Sequence, residues 1–198
     1  MHRKTPPHRL GALIDGIFAI VMTILVLDIK VPHDMSVFYN ITMEHFITGQ
    51  LGDIAIYMTA FITVGYIWMI HHEEAHFIRF TDRRHVWINM LILMFVALIP
   101  FSSALQNRFP RERDAAFFLA GNILIIGVLK YYDWCYATKA RRLVDDALAE
   151  DDIISEKKRL VILPLTALAA IAMAFVNPVL SAFVLLLAPI CSILIGIK

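Results

Sequence analysis

Long apolar stretches, interrupted by only a few clusters of charge, are the feature that most constrains the fold of this chain. Apolar residues make up 59% of its 198 residues and charged residues only 18%, whereas ordinary globular proteins contain about 25% charged residues. The charges concentrate in residues 1–9, 71–85, 106–114 and 138–159. The apolar stretches between and after them are long enough to hold one or two segments of the ~20 residues that cross a bilayer as a helix. The pattern therefore predicts a multi-pass integral membrane protein.

Six helical spans account for the apolar stretches and predict an all-α fold, with residues 1–198 forming one transmembrane domain. Asn177-Pro178 separates the last two spans and predicts a tight hairpin there. The polar segment 138–159 is predicted to be a solvated cytoplasmic linker containing a short amphipathic helix. The predicted spans are residues 10–31, 50–71, 86–106, 115–137, 160–176 and 178–197.

The distribution of lysine and arginine predicts the orientation. If the N-terminus is cytoplasmic, most basic residues outside the spans lie in cytoplasmic segments, as the positive-inside rule requires. An even number of spans then places the C-terminus in the cytoplasm too. The net charge of +1 gives no indication of nucleic-acid binding. The basic residues that would lie outside are Lys30, Arg108, Arg111 and Arg113.

The first span carries a stripe of residues with helical spacing. At 100° per residue, Gly16, Ile20, Thr23 and Leu27 fall on one narrow face, and Asp15 lies about a third of the circle away. Such a stripe is typical of plain helix packing, and a threonine in a membrane helix commonly bonds to a carbonyl of its own helix. A pore-lining face is the other reading of the stripe.

Asp15 needs a partner, because a carboxylate within a membrane span is costly. Antiparallel connectivity brings the end of span two and the start of span three to the same depth. The polar residues that can therefore meet in one layer are Arg9, Asp15, Trp68, His71 and Asn89. Contact of some of these groups with lipid headgroups is the alternative.

One short motif suggests metal chemistry instead. His72-Glu73-x-x-His76 matches the H-E-x-x-H pattern, in which both histidines bind zinc and the glutamate acts as a base. No third ligand is identifiable from the sequence, although Asp15 or Asp82 could serve. An intramembrane zinc protease is therefore a weak alternative.

Three stretches of the chain together resemble the transmembrane protein 175 family of potassium channels. The family pattern has an arginine, three residues, then Phe-Ser-Asp-Gly-Val-Phe-Ala-Ile, a threonine three residues further on and a Leu-Val-Leu run. One six-span unit in about 200 residues is similar to the prokaryotic, single-repeat members. The matching stretches are Arg9 with Leu13-Ile14-Asp15-Gly16-Ile17-Phe18-Ala19-Ile20 and Thr23 to Asp28, then Trp68-Met69-Ile70-His71-His72, then Trp87-Ile88-Asn89-Met90 with Leu98 to Ser102.

The resemblance implies a homotetramer whose first span lines the pore. By position, Ile20 would form the apolar constriction, Thr23 an adjacent hydroxyl ring that selects the ion, and Leu27 a second apolar layer. Arg9, Asp15, Trp68, His71 and Asn89 would correspond to the polar network that holds the helices together. The chain departs from the family at Leu13 and Ile14, which replace phenylalanine and serine, so one hydroxyl partner near Asp15 is lost.

The sequence therefore predicts a potassium-permeable cation channel in the cell membrane, and not an enzyme. Its partners would be potassium ions, membrane lipid and other copies of itself, with no cofactor and no bound metal. A cation-coupled secondary transporter is the main rival, because transporters also bury ionisable residues in the membrane. That class typically interrupts its helices at the midplane, and the first span has no glycine or proline there.

Overall fold

The computed structural model describes residues 7–29 and 42–194. Within these ranges the regular structure is helical, with a single isolated bridge between Ile78 and Val144. The α-helices are α1 (His8–Ile24), α2 (Met43–Gly49), α3 (Leu51–Phe77), α4 (Arg83–Ala97), α5 (Ile99–Arg108), α6 (Arg113–Thr138), α7 (Glu150–Ala174), α8 (Pro178–Val184) and α9 (Leu187–Leu194).

Four helical stretches are long and apolar enough to cross a membrane. They are His8–Asp28, Leu51–Phe77, Arg83–Arg108 and Arg113–Arg141, and Pro178–Leu194 is a shorter apolar stretch. These four correspond to the first four predicted spans. The fold is therefore an all-α membrane fold.

The first span does not continue as an α-helix to its predicted end. The α-helix ends at Ile24 and tightens into a 3₁₀ turn over Leu25–Asp28. Residues 30 and 31, which the sequence also assigned to this span, lie outside the described residues. Because a 3₁₀ turn advances about 120° per residue rather than 100°, Leu27 rotates out of line with Thr23.

The third predicted span, 86–106, consists of two helices. α4 ends at Ala97 and α5 begins at Ile99, so the axis is interrupted at Leu98. Pro100 stands in the first turn of α5. A proline has no N–H to continue the ladder and its ring clashes with the preceding turn, which explains the break.

Part of the segment 138–159, which the sequence predicted to be a solvated linker, packs against the rest of the chain. α7 already begins at Glu150, and Leu143 and Val144 are buried. The Leu143 carbonyl accepts hydrogen bonds from the backbone N–H groups of Arg79 (2.9 Å) and Phe80 (3.2 Å). Two adjacent apolar side chains and a pair of backbone bonds thus dock this segment onto the turn between α3 and α4.

α6 lies at the centre of the fold and packs most extensively against α7. The two helices approach closely where Gly127 faces Pro164. A Cβ on Gly127 would lie 2.8 Å from Pro164 Cδ and 2.9 Å from its backbone nitrogen. The absent side chain of Gly127 therefore permits this contact.

Candidate pore face and its polar network

One face of α1 is apolar and unburied within the chain. Ile20 is 58% exposed and Leu27 is 70% exposed, and Thr23 between them is exposed as well. The opposite face packs into the core through Phe18, Val21 and Leu25, all nearly fully buried. α1 is thus anchored on one side and leaves Ile20 and Thr23 exposed on the other, and Leu27 is exposed in the 3₁₀ turn that follows. These three exposed residues are here called the stripe.

The Thr23 hydroxyl is oriented by its own helix. Its Oγ1 donates to the Ile20 carbonyl over 2.8 Å. The oxygen keeps lone pairs that accept hydrogen bonds or contact a cation. Bonding within the helix and an ion-facing role are therefore compatible at this residue.

Asp15 forms a hydrogen bond with one other member of the predicted polar layer. The Trp68 indole Nε1 donates to Asp15 Oδ1 over 2.9 Å, and this bond links α1 to α3. Arg9 is exposed and forms no ion pair with a described residue. Leu13 is 46% exposed, whereas Ile14 is buried in the core. Ile14 thus contributes apolar packing where the related channels have a serine hydroxyl.

His71 and Asn89 belong to a second polar group, which is buried between α3, α4 and α6. The structure therefore divides the five predicted network residues: Asp15 and Trp68 lie together, and His71 and Asn89 lie with residues that the sequence reasoning did not select. This second group is called the buried cluster. Its members are His71, Glu74, His85, Asn89, Lys130 and Asp133.

Lys130 organises one half of the buried cluster. It is 1% exposed, and its Nζ forms an ion pair with Glu74 Oε2 and lies 3.1 Å from His71 Nδ1. An ammonium group without such partners would be very costly in an apolar interior. The pair therefore ties α6 to α3.

Asp133 organises the other half. Its Oδ2 accepts a hydrogen bond from Asn89 Nδ2 at 3.0 Å and lies 3.5 Å from His85 Nε2. Asn89 also donates to the backbone carbonyl of His85 at 3.0 Å. These contacts hold α4 against α6, one helical turn from Lys130.

Asp82 joins the α3–α4 turn to the end of α6. Its Oδ1 caps α4 by accepting the His85 N–H at 2.9 Å, and its Oδ2 accepts the Tyr136 hydroxyl at 2.7 Å. Arg142 lies 3.9 Å from the same Oδ2, and its guanidinium lies 5.0 Å from the centre of the Tyr136 ring. Burial opposes the ionisation of Asp82, but these donors outweigh it and lower the pKa of Asp82 below its usual value.

The sequence did contain a signal for the buried cluster, but that signal lies in the fourth predicted span and not in the first. Lys130 and Asp133 stand within the apolar span 115–137, where an ionisable residue normally has a buried partner. Glu74 and His85 are less conspicuous, because they fall in a charged stretch. The burial of Glu74 follows from the extension of α3 to Phe77, which the hydropathy of residues 50–71 did not indicate, and His85 is buried in the first turn of α4.

The His72-Glu73-x-x-His76 match has a structural explanation on α3. His72 stacks on Trp68 and meets His76 edge to face at 4.9 Å, and Glu73 forms an ion pair with Arg159 of α7. Nowhere in residues 7–29 and 42–194 do three candidate ligand side chains gather around one point. The glutamate that would act as a base is instead engaged in holding α7.

Comparison with known proteins places these features in one family. The profile of the family described as "Endosomal/lysosomal potassium channel TMEM175" matches residues 9–100. A protein named a potassium channel from Chamaesiphon minutus is 30% identical over 87% of this chain and 86% of its own length. Another so named, from Streptomyces collinus, is 30% identical over 69% of this chain and 67% of its own.

A solved structure extends the agreement to the whole fold. The crystal structure of "a lysosomal potassium-selective channel TMEM175 homolog" from Chamaesiphon minutus superposes with a TM-score of 0.81 at 28% identity. The superposition covers 94% of this chain and 96% of that one. The later helices, which resembled the family only in hydropathy and length, are included in that coverage. The chain therefore belongs to the TMEM175 family of channel proteins.

Proposed function

We propose that this chain is a potassium channel that assembles as a homotetramer in the cell membrane, with its pore lined by α1. The observation that carries the proposal is the stripe on α1. In the apolar part of His8–Asp28 only 22% of the residues are buried inside the chain, whereas 50% are buried in the apolar part of Arg113–Arg141, which contains α6. One helix cannot enclose a pore, so several copies must contribute theirs, and closed rotational symmetry is the usual way.

Each subunit of the proposed assembly has six spans and cytoplasmic termini. α7 supplies the fifth span from about residue 160 onward, and α8 and α9 together supply the sixth. The Asn177 side chain caps α8 by accepting the N–H groups of Val179 (2.9 Å) and Leu180 (3.2 Å). That cap, followed by Pro178, supports a sharp reversal between the last two spans.

Ile20 is proposed to be the barrier to conduction. A ring of isoleucine side chains offers an ion no ligands, and a narrow apolar ring gates by dewetting. Conduction then requires the ring to widen until water accompanies the ion. The Thr23 hydroxyls, one turn along, would replace part of the hydration shell, and Leu27 would form a second apolar layer.

The polar groups are proposed to set the position of α1 rather than to contact the ion. The Asp15–Trp68 hydrogen bond fixes α1 to α3 at one end of the stripe. Arg9 lies on the same exposed side, where it would meet a neighbouring subunit or lipid headgroups. His71 and Asn89 would act indirectly, by keeping α3 and α4 in place within the buried cluster.

Substitution of Ile20 by asparagine tests the proposal. Wetting the ring lowers the barrier to a hydrated ion, so potassium flux per tetramer should rise in reconstituted Ile20→Asn. Met94→Asn is the matched control, because Met94 is 56% exposed on α4 and receives the same amide away from the stripe. Fluxes would be measured in liposomes with potassium and sodium gradients.

The substitution separates the pore reading from simple packing. If Ile20 only packs between helices, a buried amide costs about 1–3 kcal/mol when unsatisfied, and the tetramer yield falls with no gain in flux. A flux per tetramer that drops or stays level would remove the stripe from the pore. Flux far above ~10³ ions per second, an ordinary turnover scale, would exclude the transporter.

A further inference from the structure

The first turn of α4 and the last turns of α6 form a basic and aromatic surface at one end of the bundle. Arg84 of α4 donates from Nη2 to the Tyr132 hydroxyl of α6 over 3.1 Å. The guanidinium carbon of Arg84 lies 5.3 Å from the centre of the Tyr136 ring, and that of Arg142 lies 5.0 Å from the same centre. Two guanidinium groups thus lie beside one tyrosine ring. Arg84, Tyr132, Tyr136 and Arg142 are here called the basic surface.

The positive charge of Arg84 is not neutralised by the described part of the chain. Its polar and aromatic contacts there are with tyrosines, and it forms no ion pair with a described carboxylate. Two carboxylates of this end serve other arginines, since Asp82 lies 3.9 Å from Arg142 and Asp145 pairs with Arg79 at 3.0 Å. Arginine stays protonated in proteins. Arg84 is exposed, so it offers a fixed positive charge to whatever surrounds the bundle.

An exposed apolar face runs from the basic surface along the bundle. The Arg84–Tyr132 hydrogen bond joins α4 to α6 at one end of this face. At the other end the rings of Phe101 on α5 and Phe118 on α6 meet edge to face at 5.7 Å, and both side chains are exposed. Acyl chains are the natural neighbours of such a face on a membrane helix. The exposed apolar residues between the two ends are Trp87, Leu91 and Met94 on α4 and Ile125 and Val128 on α6.

Two exposed aromatic side chains indicate the depth of the basic surface in the membrane. Trp87 follows Arg84 by three residues on α4 and is 61% exposed, and Tyr132 is 44% exposed. Exposed tryptophan and tyrosine concentrate where the hydrocarbon meets the headgroups. Arg84 therefore lies at the level of the lipid phosphates, and a guanidinium group matches the geometry of a phosphate group.

We propose that the basic surface binds the headgroup of an anionic phospholipid, whose acyl chains lie along the exposed apolar face of α4 and α6. The headgroup supplies the negative charge that Arg84 lacks within the chain. The proposal depends on the membrane fold and not on the pore. Its test therefore measures which lipid lies beside α4, without any ion flow, and fails or succeeds separately from the assignment of the stripe.

Trp87 provides the signal for this test, because bromine atoms on a lipid quench the fluorescence of a nearby indole. The protein would be reconstituted in phosphatidylcholine bilayers that contain a minor fraction of brominated phosphatidylglycerol or of brominated phosphatidylcholine with the same chains. Phosphatidylglycerol should quench Trp87 at a mole fraction lower by about fivefold or more, and Trp87→Phe identifies the part of the signal that comes from this residue. Equal quenching by the two lipids would overturn the proposal. Quenching by neither lipid would overturn it too, because the face would then be covered by protein.

A soluble anion is the other source of a phosphate group at this surface. Inorganic phosphate would be added to the bilayers and compared with chloride at the same ionic strength, so that screening is equal in both samples. The preference for phosphatidylglycerol should be the same in the two salts. A loss of that preference in phosphate alone would assign the surface to a soluble anion and overturn the proposal.

Three variants locate the site. Arg84→Gln should reduce the preference for phosphatidylglycerol by about fivefold, which is what one positive charge near an anionic membrane surface contributes. Arg84→Lys retains the charge and should keep most of the preference. Arg113→Gln is the matched control, because Arg113 is an exposed arginine at the opposite end of α6, and it should leave the preference unchanged. A full preference in Arg84→Gln, or an equal loss in Arg113→Gln, would overturn the assignment to the basic surface.

Discussion

α1 and α6 are both membrane helices with polar residues, yet they use them in opposite ways. α6 buries Lys130 and Asp133, and each has partners on neighbouring helices of the same chain. α1 turns Asp15 and Thr23 toward an exposed side, where Asp15 bonds to Trp68 and Thr23, among the described residues, bonds within its own helix. The contacts of α6 are thus completed within one chain, and the exposed side of α1 supports the proposal that assembly completes α1.

Removal of the Lys130 charge should give the largest effect and would test the α6 half of this contrast. Lys130→Met leaves Glu74 buried without its cation, and breaking a buried pair costs ~3–5 kcal/mol. The double variant Lys130→Met/Glu74→Leu should recover most of that loss, because an apolar pair of similar volume is often neutral. The free energy of unfolding in mixed micelles measures both; an unchanged value in Lys130→Met would contradict the central role of this ion pair.

Overpacking at Gly127 should come next in size. Gly127→Val places a side chain against Pro164, and such overpacking costs typically ~1–3 kcal/mol. Gly121→Val on the same helix is the control, because a Cβ there meets nothing within 4 Å. Both variants bear the helix cost of valine, so the difference between their melting temperatures isolates the contact. Equal melting temperatures would show that α7 shifts enough to accommodate the valine side chain at Gly127.

Asp82 should give a smaller, pH-dependent effect. Its pKa is lowered in the folded protein, so its contribution to stability is full above its unfolded pKa of about 3.9. That contribution is lost as the pH falls through the folded pKa. Asp82→Asn keeps the α4 cap and loses the charge, which should cost about 0.5–1 kcal/mol at pH 7.

The gap between Asp82→Asn and the parent should begin to close below about pH 4, the unfolded pKa, and should vanish only below the lowered folded pKa, where the folded carboxylate is neutral as well. Thermal melts of both proteins between pH 3 and pH 7 measure this. A gap that stays constant with pH would mean that shape, rather than charge, accounts for the effect of Asp82.

Thr23→Val should have the smallest effect on stability and would test the α1 half of the contrast. The variant deletes only a hydroxyl that faces outward, so assembly and melting should be unchanged. If the hydroxyl oxygen replaces part of the hydration shell, the potassium-to-sodium permeability ratio should fall by about two- to tenfold, equivalent to ~0.5–1.5 kcal/mol. Reversal potentials measure the ratio; the same ratio in both proteins would confine Thr23 to its bond with Ile20.

The sequence predicted the parts of the fold that follow from hydropathy. Apolar stretches of sufficient length predicted the first four spans, and equal depth in the membrane placed Asp15 and Trp68 in one predicted polar layer without pairing them. The break at Leu98 was missed although Pro100 marked it, because the apolar run continues across it. The burial of Leu143 was not predicted, because the charged residues around it favoured a solvated segment.

The buried cluster could not be derived as pairings from the sequence. Lys130 was detectable as an isolated charge in an apolar span, but the choice of Glu74 rather than Glu73 depends on the rotation of α3. A change of 100° between adjacent residues sends one carboxylate to α6 and the other to α7. The rotation of α3 about its axis is set by the packing of the whole bundle. The residue periodicity of a single helix carries no information about that packing.

The pairing of Glu74 with Lys130 also sets an order for membrane insertion. The two residues are 56 positions apart in the chain, and ribosomes add ~5–20 residues per second, so Glu74 emerges roughly 3–11 s before its partner. A lone carboxylate is costly within lipid. We therefore expect the C-terminal turns of α3 to remain at the bilayer surface, or inside the insertion machinery, until α6 has been synthesised and can complete the pair.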